Sequence, residues 1–348
     1  MRRCNRRLAD ANAGDHTDGG EPPGLCLRSQ KRIAFPEIAG ISRWAAGCGT
    51  GPGNGAGTRS GHHRNAFKGT GGRNSLELRD ALDGLWRRVE EQADGAAPCI
   101  ASGIQEYDKL LGGGFIRGGL HIIGARPAVG KSALALQITL NAARKGIKVL
   151  YVSLEMDSED CAARLVGNIC GASAARLMFG DNLPENEYRK YAQGTAALSA
   201  LPIVFNRRSG ISMRQIEALC FQEKPGMVVI DHLGLLEPPE PRMSLYEATT
   251  KNSRALKLLS MRLKVPVICL CQLNRAGASD RSGGFRATMA NLRESGAIEQ
   301  DADTVTLLHN PPCESDGPEL LELWLDKNRR GPVGHVDATF YKSTGRIV

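Results

Sequence analysis

A glycine-containing stretch that ends in Gly130-Lys131-Ser132 has the residue types that bind phosphate groups. In such a loop the backbone amides surround phosphate oxygens, the lysine reaches the β- and γ-phosphates, and the hydroxyl ligates Mg²⁺. The usual pattern, G-x-x-x-x-G-K-[ST], has a glycine where this chain has Ala125. The match is therefore either accidental or a variant that begins Ala-Arg-Pro. The predicted nucleotide-binding residues are Ala125, Arg126, Pro127, Ala128, Val129, Gly130, Lys131, Ser132 and Ala133.

Three polar residues that end apolar runs are candidates for the remaining chemistry of a nucleotide site. Asp231 ends MVVID and could hold Mg²⁺ together with Ser132, or could cap the following segment. Glu155 in YVSLEMD could be the base that polarises a water molecule, or a first-turn glutamate that the helix dipole favours. Gln272 ends VICLCQ and could contact the γ-phosphate, or could be a polar strand end.

Alternating elements must position these residues. Short apolar runs predict buried parallel strands, and periodic stretches between them predict helices, so the fold class is α/β, a mostly parallel sheet flanked by helices. After residue 300, DTVTLLHN, ELLELWLDKNRR and HVDATFYK predict antiparallel strands at the C-terminal edge. The predicted strands are 120–125, 148–155, 226–231 and 265–272, and the helices are 131–145, 157–170, 185–199, 212–223 and 245–264.

The first part of the chain differs from the rest in charge and periodicity. Residues 1–73 carry twelve Lys or Arg against five Asp or Glu and little periodicity, which predicts a disordered, basic, glycine-rich tail. Residues 74–94 have Leu78, Leu82, Leu85, Trp86 and Val89 at helical spacing, so they predict an amphipathic helix that needs a partner surface. The predicted organisation is a tail (1–73), an amphipathic helix with a linker (74–99) and an α/β domain (100–348).

Composition restricts the other function classes. The ten cysteines include no C-x-x-C pair, which argues against a zinc site and a disulfide framework. We expect no membrane span, because no apolar run is long enough. The N-terminal arginines lack the apolar segment of a secretion signal, so the expected location is the cytoplasm.

Six blocks of the sequence together resemble the DnaB-type replicative helicases. They are GARPAVGKS, VSLEM, VIDHLGLL, CQLNRA, NLRESGAIEQDAD and DKNRRGPVG, in the order and spacing of the family's C-terminal motor. The resemblance covers about residues 100–348 and implies a RecA-like P-loop NTPase core that binds ATP and Mg²⁺. The family's loop typically starts Ala-Arg-Pro, so Ala125 is expected.

The resemblance also implies roles for individual residues. It makes Lys131 and Ser132 the phosphate and Mg²⁺ contacts, Glu155 the catalytic base, Asp231 the Walker B carboxylate and Gln272 the γ-phosphate sensor. Block DKNRRGPVG implies that Lys327 and Arg329 act on the ATP site of a neighbouring subunit. Block NLRESGAIEQDAD resembles the central-channel loop that grips single-stranded DNA, and it implies contacts by Arg293, Glu294 and Gly296.

A DNA-unwinding ATPase that forms a homo-oligomeric ring, of six subunits in the family, is therefore the expected function. Helix 74–94 resembles the family's linker helix, and a helicase loader could be a further partner. Residues 1–73 do not resemble the N-terminal domain that contacts primase, so a primase contact is not expected. His232 and Gly234 stand where the family usually has tyrosine and glutamine. Two alternatives stay open, a RadA- or KaiC-like ATPase, to which LLGGGFIRGGL (110–120) also conforms, and a truncated ATP-binding regulator without unwinding activity.

Overall fold

A computed structural model describes residues 77–93, 97–180, 183–206, 210–273, 288–289, 292, 296–311 and 317–348. The predicted tail, residues 1–73, lies outside the described residues. The first described element is helix α1 (Leu78–Ala93), which agrees with the predicted helix 74–94. None of its residues is buried, and its apolar stripe is exposed. The fold described below is that of the unit Leu85–Val348.

A nine-stranded sheet forms the centre of this unit. Six of its strands run parallel, and three antiparallel strands extend one edge. The parallel strands are β3 (Leu120–Ala125), β4 (Val149–Ser153), β5 (Ile203–Phe205), β6 (Met227–Asp231), β7 (Val267–Gln272) and β8 (Thr304–His309). The antiparallel strands are β9 (Glu319–Asn328), β10 (Gly334–Tyr341) and β11 (Arg346–Ile347). The spatial order is β11-β10-β9-β8-β3-β7-β6-β4-β5. A separate two-stranded antiparallel sheet pairs β1 (Cys99–Ile100) with β2 (Phe115–Ile116).

Helices connect the parallel strands and cover the sheet. They are α2 (Gln105–Leu111), α3 (Lys131–Arg144), α4 (Ser158–Cys170), α5 (Ala174–Phe179), α6 (Glu185–Ser199), α7 (Met213–Glu223), α8 (Leu245–Leu263) and α9 (Gly296–Asp301). A single 3-10 turn, Leu233–Leu235, follows β6. Two apolar clusters fill the space between sheet and helices. One contains Ile123 and Leu134 of α3, and the other contains Ile122 and Leu256 of α8. Adjacent residues of β3 thus face opposite layers, which is why its whole run is apolar.

The predicted elements are largely confirmed, with one error of direction. The four predicted strands and five predicted helices are present, with bounds that differ by at most two residues. The prediction of an antiparallel strand from DTVTLLHN is wrong, because β8 runs parallel to β3 with Thr304 beside His121. The chain between β7 and β8 is long enough to cross back to the same end of the sheet, as a parallel pair requires. Only β9, β10 and β11 are antiparallel additions.

Seven helices and strands were missed because they are short. Helices α2, α5 and α9 have six or seven residues, and strands β1, β2, β5 and β11 have two or three. No helix in the described parts of the chain is long and apolar enough to cross a membrane.

Candidate active site

The predicted phosphate-binding loop joins the end of β3 to the start of α3, and the local backbone accounts for Gly130 and Ala125. Gly130 has φ 108°, a region that a side chain would strain, and a Cβ there would lie 2.9 Å from Phe340 Cε1. Ala125 is still part of β3, and its carbonyl accepts a hydrogen bond from the Leu273 amide at 3.0 Å. The opening position therefore carries a strand residue, so alanine fits where the general pattern has glycine.

Lys131 lies between two carboxylates at the start of α3. Its ammonium is 3.9 Å from both Glu155 Oε2 and Asp231 Oδ1, and the residue is only 8% exposed. A lysine buried to this extent needs negative groups close by. At 3.9 Å these are ion pairs without hydrogen bonds, so the ammonium has donors left for another acceptor.

The two oxygens of Asp231 have different environments. Oδ2 accepts a hydrogen bond from the Tyr151 hydroxyl at 3.0 Å, and burial with the nearby Asp231 charge raises the pKa of Tyr151 well above its usual value. Oδ1 is buried and has no hydrogen-bond partner among the described residues. A buried carboxylate oxygen without a donor fits a site for Mg²⁺ or a water molecule bound to it. Ser132, the other residue predicted to ligate Mg²⁺, is the second residue of α3.

Glu155 and Gln272 reach the same edge of the sheet from two other strands. Gln272 ends β7 beside Ala125, and Ser153, which ends β4, pairs with Asp231. The Ser153 hydroxyl donates to the Met156 carbonyl and closes the turn that carries Glu155. The Glu155 side chain is 51% exposed, so it can meet a water molecule that enters the site. The residues predicted from three separate strands thus lie together at the carboxyl edge.

A cleft of about 760 Å³ opens over the loop and includes a wall that the sequence did not predict. One side is formed by Arg164 and Asn168 of α4, and another by the turn between β10 and β11. The Asn168 amide donates to the Gly345 carbonyl at 3.1 Å, which fixes this turn to α4. The missed lining residues are Leu136, Met156, Arg164, Asn168, Ser173, Ala174, Ala175, Phe340, Lys342, Ser343, Thr344 and Gly345.

Lys327 and Arg329 lie at the opposite, amino edge of the sheet. Asn328 pairs with Thr304, the first residue of β8, and the Arg329 amide donates to the Asp303 carbonyl at 2.9 Å. Strand β3 separates this edge from the loop, and its six residues span about 17 Å. Both cations are therefore remote from the predicted phosphate-binding loop of the same chain.

The family model described as "DnaB-like helicase C terminal domain" matches residues 99–348. The chain belongs to this family. It is 34% identical over 300 residues to the replicative DNA helicase DnaB of Geobacillus stearothermophilus, covering 82% of this chain and 63% of the relative. It is 35% identical over 285 residues to the replicative DNA helicase DnaC of Bacillus subtilis (strain 168), covering 78% and 61%. The chain thus spans about three-fifths of the length of these curated relatives.

Solved structures of the DnaB-like family have the same fold. The ATPase domain of G40P superposes with a TM-score of 0.71 at 31% identity, covering 79% of this chain and 99% of that one. A DnaB-like replicative helicase, whose structure was described with its interactions with primase, gives a TM-score of 0.70 at 31% identity, covering 78% and 68%. The predicted RecA-like α/β class is confirmed.

Two of the predicted DNA contacts of this DnaB-like chain, Arg293 and Glu294, lie outside the described residues. The third, Gly296, is the first residue of α9, and it is exposed. Helix α9 ends against the amino edge of the sheet, where Lys327 donates to the Glu299 carbonyl and Arg329 donates to the Gln300 carbonyl. The structure therefore brings residues 296–303 of the block NLRESGAIEQDAD and the two cations together at the edge remote from the predicted phosphate-binding loop.

His232 follows Asp231 in this DnaB-like chain and packs as expected of a strand-end residue. Its ring lies beside Gly234, where a Cβ would be 3.3 Å from His232 Cε1. Burial, with the Lys131 charge, lowers the pKa of His232, so the ring is neutral near pH 7. Its Nδ1 is buried without a hydrogen-bond partner among the described residues.

Proposed function

We propose that the chain is an ATP-hydrolysing, Mg²⁺-dependent helicase motor that forms a ring, of six subunits, and moves along single-stranded DNA. The observation that carries this proposal is the separation of its charged groups. Lys131, Glu155 and Asp231 lie at one edge of the sheet, and Lys327 and Arg329 lie at the other. A subunit with its cations on the far side can complete a site only on a neighbour, as head-to-tail rings allow.

Each residue of the site has a chemical role in this proposal. Lys131 and the loop amides bind the β- and γ-phosphates, and Gln272 contacts the γ-phosphate. Ser132 and Asp231 would hold Mg²⁺. When bound, this ion would neutralise part of the negative charge of the phosphates. Glu155 accepts the proton of the attacking water, for which its exposure leaves access.

The neighbouring subunit and DNA complete the proposed assembly. Lys327 and Arg329 of one subunit stabilise the charge on the phosphoryl group of the next. Arg293, Glu294 and Gly296 contact the phosphate backbone of single-stranded DNA, as a motor that ignores sequence requires. Residues 74–99 act as the linker to an adjacent subunit, and 100–348 act as the motor in the cytoplasm. A helicase loader is a further proposed partner.

Strand separation on a forked DNA substrate tests this function. We expect the full chain to unwind the fork with ATP and Mg²⁺, and the Lys131→Ala variant to leave it paired. ATP hydrolysis without strand separation would favour the RadA- or KaiC-like alternative. ATP binding without hydrolysis or strand separation would favour a regulator of helicase assembly.

A further inference from the structure

The carboxyl end of α9 holds the two cations that we assign to a neighbouring ATP site. Lys327 donates to the Glu299 carbonyl, and Arg329 donates to the Gln300 carbonyl. The last carbonyls of a helix have no partner within the helix and carry partial negative charge, so they attract cations. The same two side chains thus have a binding place within their own subunit.

Helix α9 is itself fixed to two other elements. Asp301, which is buried, accepts hydrogen bonds from the Ser253 hydroxyl at 3.2 Å and from Arg254 at 3.0 Å, both on α8. Asp303 accepts from Lys257 at 2.6 Å and from the Leu120 amide at 2.8 Å. The carbonyls of α9 therefore have a defined position, relative both to α8 and to the start of β3.

The cations are close to one another in this position. Burial, followed by the neighbouring Arg329 charge, lowers the pKa of Lys327. Repulsion between the two cations on α9 therefore offsets part of the free energy that their contacts with the carbonyls supply. A group with more negative charge than these carbonyls can bind the cations instead. A triphosphate is such a group, because its hydrogen bonds to Lys and Arg are charge-assisted.

We propose that the carboxyl end of α9 and the phosphates of the neighbouring subunit compete for Lys327 and Arg329, with Asp301 as the positioning residue on the α9 side. This inference rests on the proposed ring. Such coupling is reciprocal. When ATP occupies the neighbour's site, the two cations leave the carbonyls of α9, and when α9 is firmly held, it keeps the two cations away from that site. The helix starts at Gly296, two residues after Glu294, so the competition links the predicted DNA segment of one subunit to ATP on the next.

Hydrogen exchange in assembled rings tests the competition. The reporters are the Ala302 and Asp303 amides, which donate to Ile298 and Leu120. We expect a non-hydrolysable ATP analogue to speed exchange over 296–304 in wild-type rings. A double variant, Lys327→Ala with Arg329→Ala, should exchange fast with or without the analogue. Intact rings whose exchange is unchanged or slowed by the analogue would overturn this inference alone, whereas a chain that forms no ring would overturn the proposed function as well.

The steady-state kinetics of Asp301→Asn test the positioning role. Weaker anchoring of α9 should release the cations, so we expect kcat without DNA to rise about fivefold, the lower end of typical coupling factors, with KM for ATP unchanged. Stimulation by DNA should fall, since the unstimulated rate is already raised. Damage to the fold would instead lower kcat and Tm together. An unchanged or lower kcat at wild-type Tm would overturn the role of Asp301.

Glu240→Gln is the matched control for Asp301→Asn. It also replaces an acidic partner of α8, because Glu240 pairs with Lys251, but that pair is exposed and distant in sequence from α9. We expect kinetics equal to wild type, since an exposed ion pair contributes little. An equal rise of kcat in both variants would show that the effect comes from α8 charge and would overturn the proposal.

Discussion

At the scale of single residues, the site depends on how each carboxylate is held. One oxygen of Asp231 accepts a hydrogen bond from the Tyr151 hydroxyl, and the other has no donor among the described residues. Glu155 is exposed and forms an ion pair with Lys131. A fixed carboxylate suits a metal ligand, and an accessible one suits a base that must meet water. The two acids therefore differ in environment in the way that their proposed roles differ.

The Tyr151 hydroxyl should control the affinity for Mg²⁺. Removing it in Tyr151→Phe keeps the ring and leaves Asp231 without its donor, so the carboxylate is no longer oriented. We expect the Mg²⁺ concentration at half-maximal ATPase to rise about tenfold, as for other partners of metal ligands. Tyr107→Phe is the control, because Tyr107 is also buried and bonds Thr306 at 2.7 Å, in another part of the core. Equal Mg²⁺ dependence of wild type and Tyr151→Phe would contradict the metal role of Asp231.

Lys131 and Glu155 should separate binding from turnover. Lys131 contacts phosphates in the bound state, so Lys131→Ala should abolish binding of a fluorescent ATP analogue. Glu155→Gln should bind the analogue normally, because glutamine keeps the shape, and should lower kcat by about 10²-fold or more, as expected for loss of a general base. If Lys131→Ala binds ATP as tightly as wild type, the assignment of the phosphate-binding loop is wrong.

The sequence predicts site residues only where a motif or a strand end marks them. Lys131, Asp231 and Gln272 follow from that logic, and their positions at one edge are as expected. Tyr151 could have been suspected, because a tyrosine in a buried strand needs a partner for its hydroxyl. Lys342 and Gly345 could not, since they come some two hundred residues after the loop and reach the cleft only through the pairing of β10 with β9.

At the scale of elements, apolar runs and helical periodicity predict position well and direction poorly. Helix α6 and strand β3 have the predicted bounds because their apolar spacing ends with them. The direction of β8 is set by the path of the chain after Gln272. The six residues of β8 alone do not indicate that direction. A run of strands without long helices favours antiparallel pairing, and here a connection with the short helix α9 sufficed for a parallel pair.

His121 at the start of β3 should make stability depend on pH. It is fully buried among Phe115, Thr304 and the Ile116 carbonyl, and burial lowers its pKa to about 4. The unfolded chain binds a proton below about pH 6.5 and the folded chain does not, so stability is complete above pH 6.5 and falls toward pH 4. We expect a loss of about 2 kcal/mol between pH 7 and pH 5 from this group.

Urea unfolding at pH 7 and pH 5 measures that loss. The variant His121→Gln should lose less stability than wild type over this interval, because it has no group that titrates there. His335→Gln, which replaces an exposed histidine, is the matched control. Burial alone would raise the pKa of Asp303, but the hydrogen bonds that it accepts from Lys257 and Leu120 lower it. The contribution of Asp303 to stability is therefore lost only at lower pH than that of His121. The same loss in wild type and His121→Gln would contradict the assignment.

At the scale of the whole molecule, the apolar stripe of α1 predicts an assembly. Leu78, Leu82, Leu85, Trp86 and Val89 are all exposed, and removing such a stripe from water is favourable. Deleting residues 1–73 should leave ATPase activity intact, and deleting 1–94 should dissociate the ring in sedimentation. The double variant Leu82→Ser with Trp86→Ser should also dissociate it. Asp80→Ser with Arg87→Ser changes the opposite face of α1 and should leave the ring intact. Normal assembly of the 1–94 deletion would refute the linker role.

The separation of Lys131 from Arg329 by the length of β3 makes a stronger prediction about the assembly. If Arg329 served its own subunit, a chain with Arg329→Ala would be inactive whatever stood beside it. If it serves the neighbour, the loop of that chain stays usable wherever the adjacent subunit supplies a wild-type arginine. Such an arginine is worth about 10³–10⁵ in kcat, so its loss and its return are both measurable.

Mixed rings of Arg329→Ala and Lys131→Ala subunits test this. Each variant alone should be inactive. In a mixture, an interface is complete where the intact loop of an Arg329→Ala subunit faces the intact Arg329 of a Lys131→Ala subunit. At an equal ratio this holds for about a quarter of head-to-tail interfaces. DNA-stimulated ATPase should therefore pass through a maximum at intermediate ratios. Native mass spectrometry confirms that the rings are mixed. If confirmed mixed rings show no ATPase activity at any ratio, Arg329 does not act across an interface. The location of Arg329 and Lys131 at opposite edges of the sheet would then need another explanation.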